Sequence, residues 1–371
     1  RRATARSLHA QLMEDRRIIR MRPVIVIRTL MLAAASALRV AVLSKIILDQ
    51  VVDTGNACRL GGGGVQAAVG VQIAAEGTCR CRLIAPVGVD FDDRLLTDLH
   101  ARGVDTSVDK LSHVRRTPGE IIRYEGEDML WNDVGWDQWE ELCDWEPPLN
   151  TSDFDVVHVL VEGGGAGELR SALAAMQHAE ENGMPLPLLS VEPVMHAVDE
   201  GSLSSLCKLT ARADVVSPDL LTAARIAHVA HDFARVHTYK RDAAAVGKAD
   251  LLRDRASLDA TVRACARALK LPSSAVLAVR DGARGSYLLH DDSFLHVPAL
   301  AIGVPVDPTG AGNAYAGALC THLASGATPA DAAQVASAVG AAFCCTADFA
   351  PELSAAIEWC KDPSKARIIE H

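Results

Sequence analysis

From about Lys45 onward, the chain repeats one pattern of a short β-branched run, a turn and an alanine-rich segment. Strands that alternate with helices are typical of an α/β fold, in which helices cover both faces of a mostly parallel sheet. Such a sheet binds ligands at the carboxyl ends of its strands. The predicted strands are Ile46–Leu48, Arg82–Val87, Val156–Val161, Leu188–Val191, Asp214–Val216, Ala275–Val279 and Ser286–His290. The predicted helices are Val65–Ala75, Asp92–Ala101 and a last helix that Gly310–Gly312 open and that runs towards Leu323.

The composition supports a large core and argues against two classes of protein. Of 371 residues, 49% are hydrophobic and 23% are charged, which excludes a disordered chain. The net charge of −10 disfavours nucleic-acid binding, because neutralising phosphates requires a basic surface. The ten cysteines are dispersed and form no CxxC pair, so we expect buried thiols in a reducing compartment rather than disulfides or a zinc site.

Residues 1–45 differ from the rest of the chain. They contain nine arginines and one lysine but only two acidic residues, a net charge of +8. This composition resembles an organelle transit peptide; the alternatives are an extension without a partner and an imperfect gene model. The longest uncharged run, Thr29–Leu38, has ten residues, whereas a membrane-spanning helix needs about 20, so we expect no membrane association.

The chain is therefore predicted to consist of a basic targeting or disordered extension, residues 1–45, and one folded domain, residues 46–371. We expect a cytoplasmic protein, or an organellar one if the extension is a transit peptide.

The segment Glu125–Glu146 carries nine acidic residues, no lysine or arginine, and four of the five tryptophans. One interpretation is an amphipathic helix whose indole rings pack on the core while its carboxylates face water. The other is a lid that stacks on a sugar or docks a partner.

The clearest chemical motif runs from Val306 to Ala314, where an acidic residue, Asp307, precedes a Gly-Ala-Gly turn. Small residues at Gly310, Ala311 and Gly312 allow a ligand to approach the backbone closely. Exposed N–H groups at the start of the following helix then form an anion site. A phosphate group is the natural ligand of such a site.

This motif is one of several that occur in the order typical of one family, and residues 46–346 resemble the PfkB/ribokinase family of carbohydrate kinases. The sequences at Gly61–Gly64 and Asp307–Asn313 look most like those of a divergent plant and fungal branch of this family. The matching stretches are Gly61–Ala68, Val87–Asp90, Gly103–Thr106, Arg116–Gly119, Val279–Ser286 and Asp307–Ala314.

The resemblance implies a ribokinase-like three-layer α/β sandwich with a mostly parallel central sheet and a small β lid. It also implies ATP and Mg²⁺ as cofactors, a sugar or nucleoside-like small-molecule substrate, and a homodimer formed through the lid. The implied nucleotide contacts are Thr309, Arg280, Gly282, Gly285 and Asp219. The implied substrate contacts are Asp49, Gly62, Gly63 and Gln66, and the implied metal-linked acids are Asp307 and Asp219.

The sequence departs from the family pattern at catalytic positions. Asn313 occupies the place of the aspartate that accepts the alcohol proton, and losing a general base typically costs roughly 10²–10⁴ in rate. In the N-x-x-E motif, Asp219 replaces the asparagine and Thr222 replaces the glutamate. Gln66 stands where sugar kinases often have asparagine. Phosphoryl transfer depends mostly on positioning and electrostatics, so both a slow kinase and a non-catalytic binding or regulatory protein fit these changes.

Other motifs carry less weight. The glycine run 163–167 suggests a dinucleotide site, but Glu168 occupies the last glycine position of GxGxxG. Gly247-Lys248-Ala249 lacks the hydroxyl of a P-loop, and His228 and His231 are expected to be surface residues rather than metal ligands.

Overall fold

The computed structural model describes residues 37–52, 58–125, 128–162, 167–194, 198, 200–229, 255–301, 305–346 and 367–368. The chain divides into two compact units, Arg1–Ala37 and Leu38–His371. Five sequence predictions concern residues outside the described ranges, wholly or in part: the basic extension up to residue 36, residues 126–127 of the acidic segment, the glycines at 163–166, the segment 247–249 and His231.

The described residues form fifteen strands. In chain order these are β1 (Arg39–Leu43), β2 (Ile47–Val51), β3 (Cys58–Gly61), β4 (Arg80–Val87), β5 (Val104–Lys110), β6 (Gly119–Glu125), β7 (Asp128–Val134), β8 (Val156–Val161), β9 (Leu188–Pro193), β10 (Val215–Val216), β11 (Val276–Arg280), β12 (Ser286–His290), β13 (Ser293–Val297), β14 (Leu300–Ala301) and β15 (Arg367–Ile368).

Nine of these strands form the central sheet, in the order β13-β12-β11-β10-β9-β8-β1-β4-β5. The seven strands from β11 to β5 are parallel, whereas β12 and β13 add an antiparallel edge. The carboxyl ends of the parallel strands therefore lie at one edge of the sheet, where the sequence pattern places a ligand.

Helices pack on both faces of this sheet. The α-helices of the described residues are α1 (Gly63–Ala74), α2 (Thr97–Ala101), α3 (Trp139–Cys143), α4 (Gly167–Glu181), α5 (Glu200–Thr210), α6 (Leu220–Val229), α7 (Arg255–Ala268), α8 (Ala311–Ala324) and α9 (Pro329–Cys344), and all but α3 pack on one face or the other. Strand β1 shows the layering, because its successive side chains point to opposite faces. Val40 and Val42 pack in a cluster with α1, α8 and α9, while Ala41 and Leu43 pack in a cluster with α4, α5, α6 and α7. The three-layer sandwich expected from the sequence is confirmed.

A second, four-stranded sheet has the order β3-β2-β6-β7 and is the small β lid that the resemblance implies. Strands β2 and β6 are parallel, and the two outer pairs are antiparallel. This small sheet is joined directly to the site edge of the central sheet, because β2 follows β1 after three residues and β3 leads into α1. No helix in the described part of the chain has the length and apolar character needed to cross a bilayer.

Three sequence expectations need correction. Strand β1 pairs with β4 and β8 inside the central sheet, so residues 39–45 belong to the folded body and not to an extension. The segment Glu125–Glu146 is not one amphipathic helix: it forms the end of β6, strand β7, a 3₁₀ turn and the short helix α3. Gly135, with φ +72°, separates strand from helix there. Finally, α8 is not the last helix, since α9 follows it after four residues.

We expect the packing of Leu43 in the core to contribute more to the free energy of unfolding than an exposed leucine does. Leu43 is fully buried, and Leu43→Ala should lower the free energy of unfolding by about 3 kcal/mol, because it removes apolar contacts and leaves a cavity. Urea unfolding followed by circular dichroism measures this change. The matched control is Leu186→Ala, at a position 48% exposed, which should cost less than about 1 kcal/mol. Equal losses at the two positions would contradict the assigned core.

Candidate active site

Two helix N-termini lie side by side at the carboxyl edge of the central sheet. A Cβ atom at Gly63 would overlap the side chain of Asn313, and one at Gly317 would overlap the backbone of Ala67. Because these contacts advance together along α1 and α8, the two helices run parallel and begin at the same end. Their positive N-terminal dipoles therefore reinforce each other at one place, which favours an anionic ligand.

Glycine is required where each helix begins. Gly62 and Gly310 are the N-cap residues of α1 and α8, with φ values of +87° and +78°. A side chain at Gly62 would collide with the carbonyl of Lys45, and a side chain at Gly310 would collide with Gln66. The predicted substrate contacts Gly62, Gly63 and Gln66 thus lie against the predicted anion-binding turn, in agreement with a common site.

Asn313, in the first turn of α8, is held by a buried carboxylate that sequence reasoning did not assign to the site. Its side-chain amide Nδ2 donates to Glu192 Oε1 at 2.9 Å. The Arg280 guanidinium forms an ion pair with the same oxygen at 2.7 Å. Glu192 comes from β9 and has no exposed surface.

His158, buried in strand β8, completes this cluster. Its Nε2 lies 3.3 Å from Glu192 Oε2, and its Nδ1 lies 3.0 Å from the Ser190 hydroxyl. Burial alone lowers the pKa of His158, but its contacts with Cys320 and Glu192 outweigh burial and raise the pKa to about 9. Arg280 and His158 therefore lie against different oxygens of the Glu192 carboxylate.

Asp307 forms an ion pair with Arg59 on the small sheet. The two side chains meet at 2.8 Å, and Asp307 is 3% exposed. The other oxygen of Asp307 accepts hydrogen bonds from the Thr309 backbone N–H at 2.9 Å and from its hydroxyl at 2.6 Å. Both oxygens of the predicted metal-linked acid are therefore occupied by protein groups, and direct metal binding at Asp307 requires the ion pair with Arg59 to open.

Asp49, the predicted substrate contact on β2, is a buried carboxyl group. Burial raises its pKa to about 7, the charges of Glu120, Asp307 and Glu162 add to this, and Arg59 opposes it. Asp49 Oδ1 has no hydrogen-bond partner among the described residues. An unpartnered buried oxygen is a natural site for a ligand hydroxyl, because a donor there would satisfy it.

Glu162, immediately after β8, is a second acidic group that sequence reasoning missed. Its Oε2 accepts from the Ser44 hydroxyl and from the Lys45 backbone N–H, each at 3.3 Å. Burial raises the pKa of Glu162 to about 7, against the lowering effect of Lys45. The Lys45 ammonium itself is paired with Glu168 at 2.6 Å. The signal that could have identified Glu162 is its position at the carboxyl end of an uninterrupted buried strand.

Two of the predicted nucleotide contacts, Arg280 and Asp219, lie together, and Gly282 and Gly285 belong to the turn that follows Arg280. Arg280 ends β11, and its backbone forms an isolated parallel bridge with Asp219. A Cβ at Gly312 would lie 2.5 Å from Arg280 Nη1, so Arg280 crosses the start of α8. Gly282 has φ +54° with open space beside it, and Gly285 packs against the backbone of 297–299.

The residues present fit a magnesium ion that is bound mainly by a nucleotide. Asp219 is partly exposed, and its carboxylate accepts from the Thr222 N–H at 2.8 Å and hydroxyl at 2.9 Å. The described residues contain no cluster of three metal-ligating side chains. Mg²⁺ commonly keeps several waters and uses one or two carboxylates plus substrate phosphates, so Asp219 fits this arrangement through water.

Comparison with known proteins identifies the family to which this chain belongs. A model of the pfkB family of carbohydrate kinases matches residues 34–351. The chain belongs to that family. A search of curated proteins finds no match.

Solved structures show the same fold at low identity. Ribokinase from Cryptococcus neoformans in complex with ADP is 16% identical, with a TM-score of 0.63 over 87% of this chain and 99% of the other. Ribokinase from Giardia lamblia is 17% identical, with a TM-score of 0.63 over 88% and 99%. Nucleoside kinase from Methanocaldococcus jannaschii is 15% identical, with a TM-score of 0.54 over 88% and 99%.

The buried acids should make stability depend on pH. The folded-state pKa of Asp49 lies above its unfolded value, so between about pH 4 and 7 the folded chain binds more protons than the unfolded chain. Stability should therefore fall as pH rises through this window, by up to about 1.4 kcal/mol per pH unit for one group. Asp49→Asn should reduce this slope. Urea midpoints measured from pH 5 to 8 test it; Asp292→Asn, at a 95% exposed side chain, should leave the slope unchanged, and an unchanged slope in Asp49→Asn would contradict the prediction.

Proposed function

We propose that this protein is an ATP-dependent kinase that phosphorylates a hydroxyl group of a sugar or nucleoside-like molecule. The observation that carries the proposal is the pair of parallel helix N-termini, with Gly62–Gly63 facing Gly310–Asn313, in a chain of the pfkB family. Backbone N–H groups and two helix dipoles directed at one point suit a transferring phosphoryl group.

The proposed step is an in-line displacement. The acceptor hydroxyl oxygen attacks the γ-phosphorus of ATP and forms a new P–O bond. The bond between that phosphorus and the β–γ bridging oxygen breaks, and its electron pair leaves with ADP. The hydroxyl proton passes to water, because the neutral amide of Asn313 cannot hold it.

In this proposal the protein's residues position the acceptor and stabilise the transferring phosphoryl group. The N–H groups at Gly310, Ala311 and Gly312 bind the transferring group, and Asn313 orients the acceptor hydroxyl. Asp49 and the turn at Gly62–Gly63 bind other hydroxyls of the acceptor, with Gln66 packed behind Gly310. Asp307 keeps Arg59 at the site, so the small sheet contributes a cation.

For the nucleotide we propose contacts with Arg280, Gly282, Gly285, Thr309 and Asp219. One structural neighbour is a ribokinase in complex with ADP, which supports a nucleotide ligand here. Mg²⁺, when bound, neutralises phosphate charge, and Asp219 is the carboxylate that would hold it through water.

Other proposals concern partners and location. A homodimer through the small sheet, a transit-peptide role for the basic extension, and membership of a plant and fungal branch all stay predictions. Sedimentation velocity on the full chain tests the first, and microscopy of a fluorescent fusion tests the second.

A non-catalytic binding or regulatory protein is the second candidate. It is favoured by the occupied carboxylates at the site: Asp307 is bonded to Arg59 and Thr309, and Asp219 is bonded to Thr222. ADP release measured over a panel of sugars and nucleosides decides between the two. Turnover with any acceptor supports the kinase; normal ATP binding by calorimetry without turnover on any acceptor supports the second candidate.

The glycine at the start of α8 provides a sharp test of the proposed anion site. Gly310→Ala should lower kcat on the order of 10²-fold, because the added methyl group collides with Gln66 and displaces the turn. The matched control is Gly326→Ala, beyond the other end of α8. Gly326 has φ +81°, but a Cβ atom added there would have no neighbouring atom within 4 Å, so this variant carries the same backbone strain and should keep its turnover. Similar kcat losses in both variants would indicate loss of helix α8 rather than of a ligand site.

A further inference from the structure

The hydrogen bond between Asn313 and Glu192 has a defined direction. An ionised carboxylate can only accept hydrogen bonds, whereas an asparagine side chain has one donor end and one acceptor end. Glu192 Oε1 therefore faces the Nδ2 group of Asn313, at 2.9 Å. The carbonyl oxygen of Asn313 then points away from Glu192, and no described residue donates a hydrogen bond to it.

Several neighbours hold the Glu192 carboxylate in place. The Arg280 guanidinium lies 2.7 Å from Oε1, and His158 Nε2 lies 3.3 Å from Oε2. Glu192 and His158 have no exposed surface, and the Arg280 side chain is 11% exposed. A carboxylate buried among two basic groups is expensive to move or to neutralise. The acceptor face that Glu192 presents to residue 313 is therefore a fixed part of the site.

An aspartate does not suit position 313 in this chain. It would place a second carboxylate next to Glu192 Oε1, where Asn313 now donates a hydrogen bond. Two carboxylates at such a distance cannot both ionise readily. One of them would take up a proton or turn away, and either change disturbs the cluster.

We propose that Glu192 is a positioning residue that turns the carbonyl oxygen of Asn313 toward the acceptor hydroxyl, so that this site is built for an amide at position 313. The catalytic half of this proposal rests on the proposed kinase function; the structural half does not. Asn313 then forms a matched hydrogen-bonded pair with Glu192, and its presence is more than the replacement of a catalytic base.

A thermodynamic cycle tests the pairing without any need for turnover. Asn313→Asp alone should lower stability, Glu192→Gln should remove the like-charge contact, and the double variant should be more stable than the two single changes predict. The expected coupling is on the order of tenfold in the unfolding constant, as for residues in direct contact.

The control cycle replaces Glu192→Gln by Asp155→Asn. This substitution also neutralises one acid in an ion pair, here the pair with Arg39 at the start of β1, and it should combine additively with Asn313→Asp. Additive behaviour of the Glu192 cycle would overturn the proposal.

Selective ¹⁵N labelling of asparagine gives a second measurement on the natural chain, in case Glu192→Gln does not fold. One side-chain amide proton of Asn313 should exchange with solvent on the order of tenfold more slowly than those of exposed Asn150. Equally fast exchange would contradict the bond to Glu192.

Kinase turnover tests the orientation of the carbonyl oxygen. Asn313→Asp alone should reduce kcat. Adding Glu192→Gln should restore kcat to the natural level or above, because the introduced glutamine amide can donate to the introduced carboxylate. In Asn313→Asp the KM for ATP should change less than kcat.

A rise of kcat in Asn313→Asp alone would overturn the proposal. If the natural chain has no turnover on any acceptor, the kinase function fails, while the cycle and the exchange measurement still decide whether Glu192 holds Asn313.

Discussion

Close backbone packing between α1 and α8 is the constraint on which the site depends. Gly70 lies against the carbonyl of Ala314, and Gly317 lies against the carbonyl of Ala67, so neither position has room for a side chain. This contact holds the two helices parallel with their N-termini together. Three features follow from this packing: the anion site, the contact of Gln66 with Gly310, and the contact of Asn313 with Gly63.

The second organising feature is the concentration of buried or partly buried carboxyl groups at the same edge. Asp49, Glu162, Glu192 and Asp307 come from four different elements and meet near the two helix N-termini. Burying acids is costly unless positive groups or hydrogen bonds compensate. Arg59 and Arg280 provide that compensation for Asp307 and Glu192, whereas burial raises the pKa of Asp49 and of Glu162 to about 7. The site therefore contains fixed negative charge for orientation and groups that a hydroxyl-rich ligand can satisfy.

Sequence reasoning succeeded where one local pattern sufficed. Strand β8 has the predicted bounds because Val156–Val161 is an apolar run buried on both faces. The turns at Gly62 and Gly310 were predicted from glycine-rich runs, and both open helices from glycines at positive φ. The segment 125–146 failed because its acidic and aromatic pattern suits a helix, while pairing of β7 with β6 overrides that preference. The predicted domain boundary at residue 46 was wrong. Arg39 was counted with the basic extension because of its charge, although it begins a strand of the central sheet.

The sequence by itself determined the α/β class, the family and the two glycine turns, because each depends on residues close together along the chain. Only the tertiary structure decided what surrounds Asn313. Glu192 lies 121 positions away and His158 still further, and Arg59 reaches Asp307 across 248 positions. Such contacts depend on which parallel strands are neighbours and where each ends, and no local pattern encodes that. The amide at position 313 looked like a missing base in the sequence; in the folded chain it is the hydrogen-bond partner of a buried carboxylate.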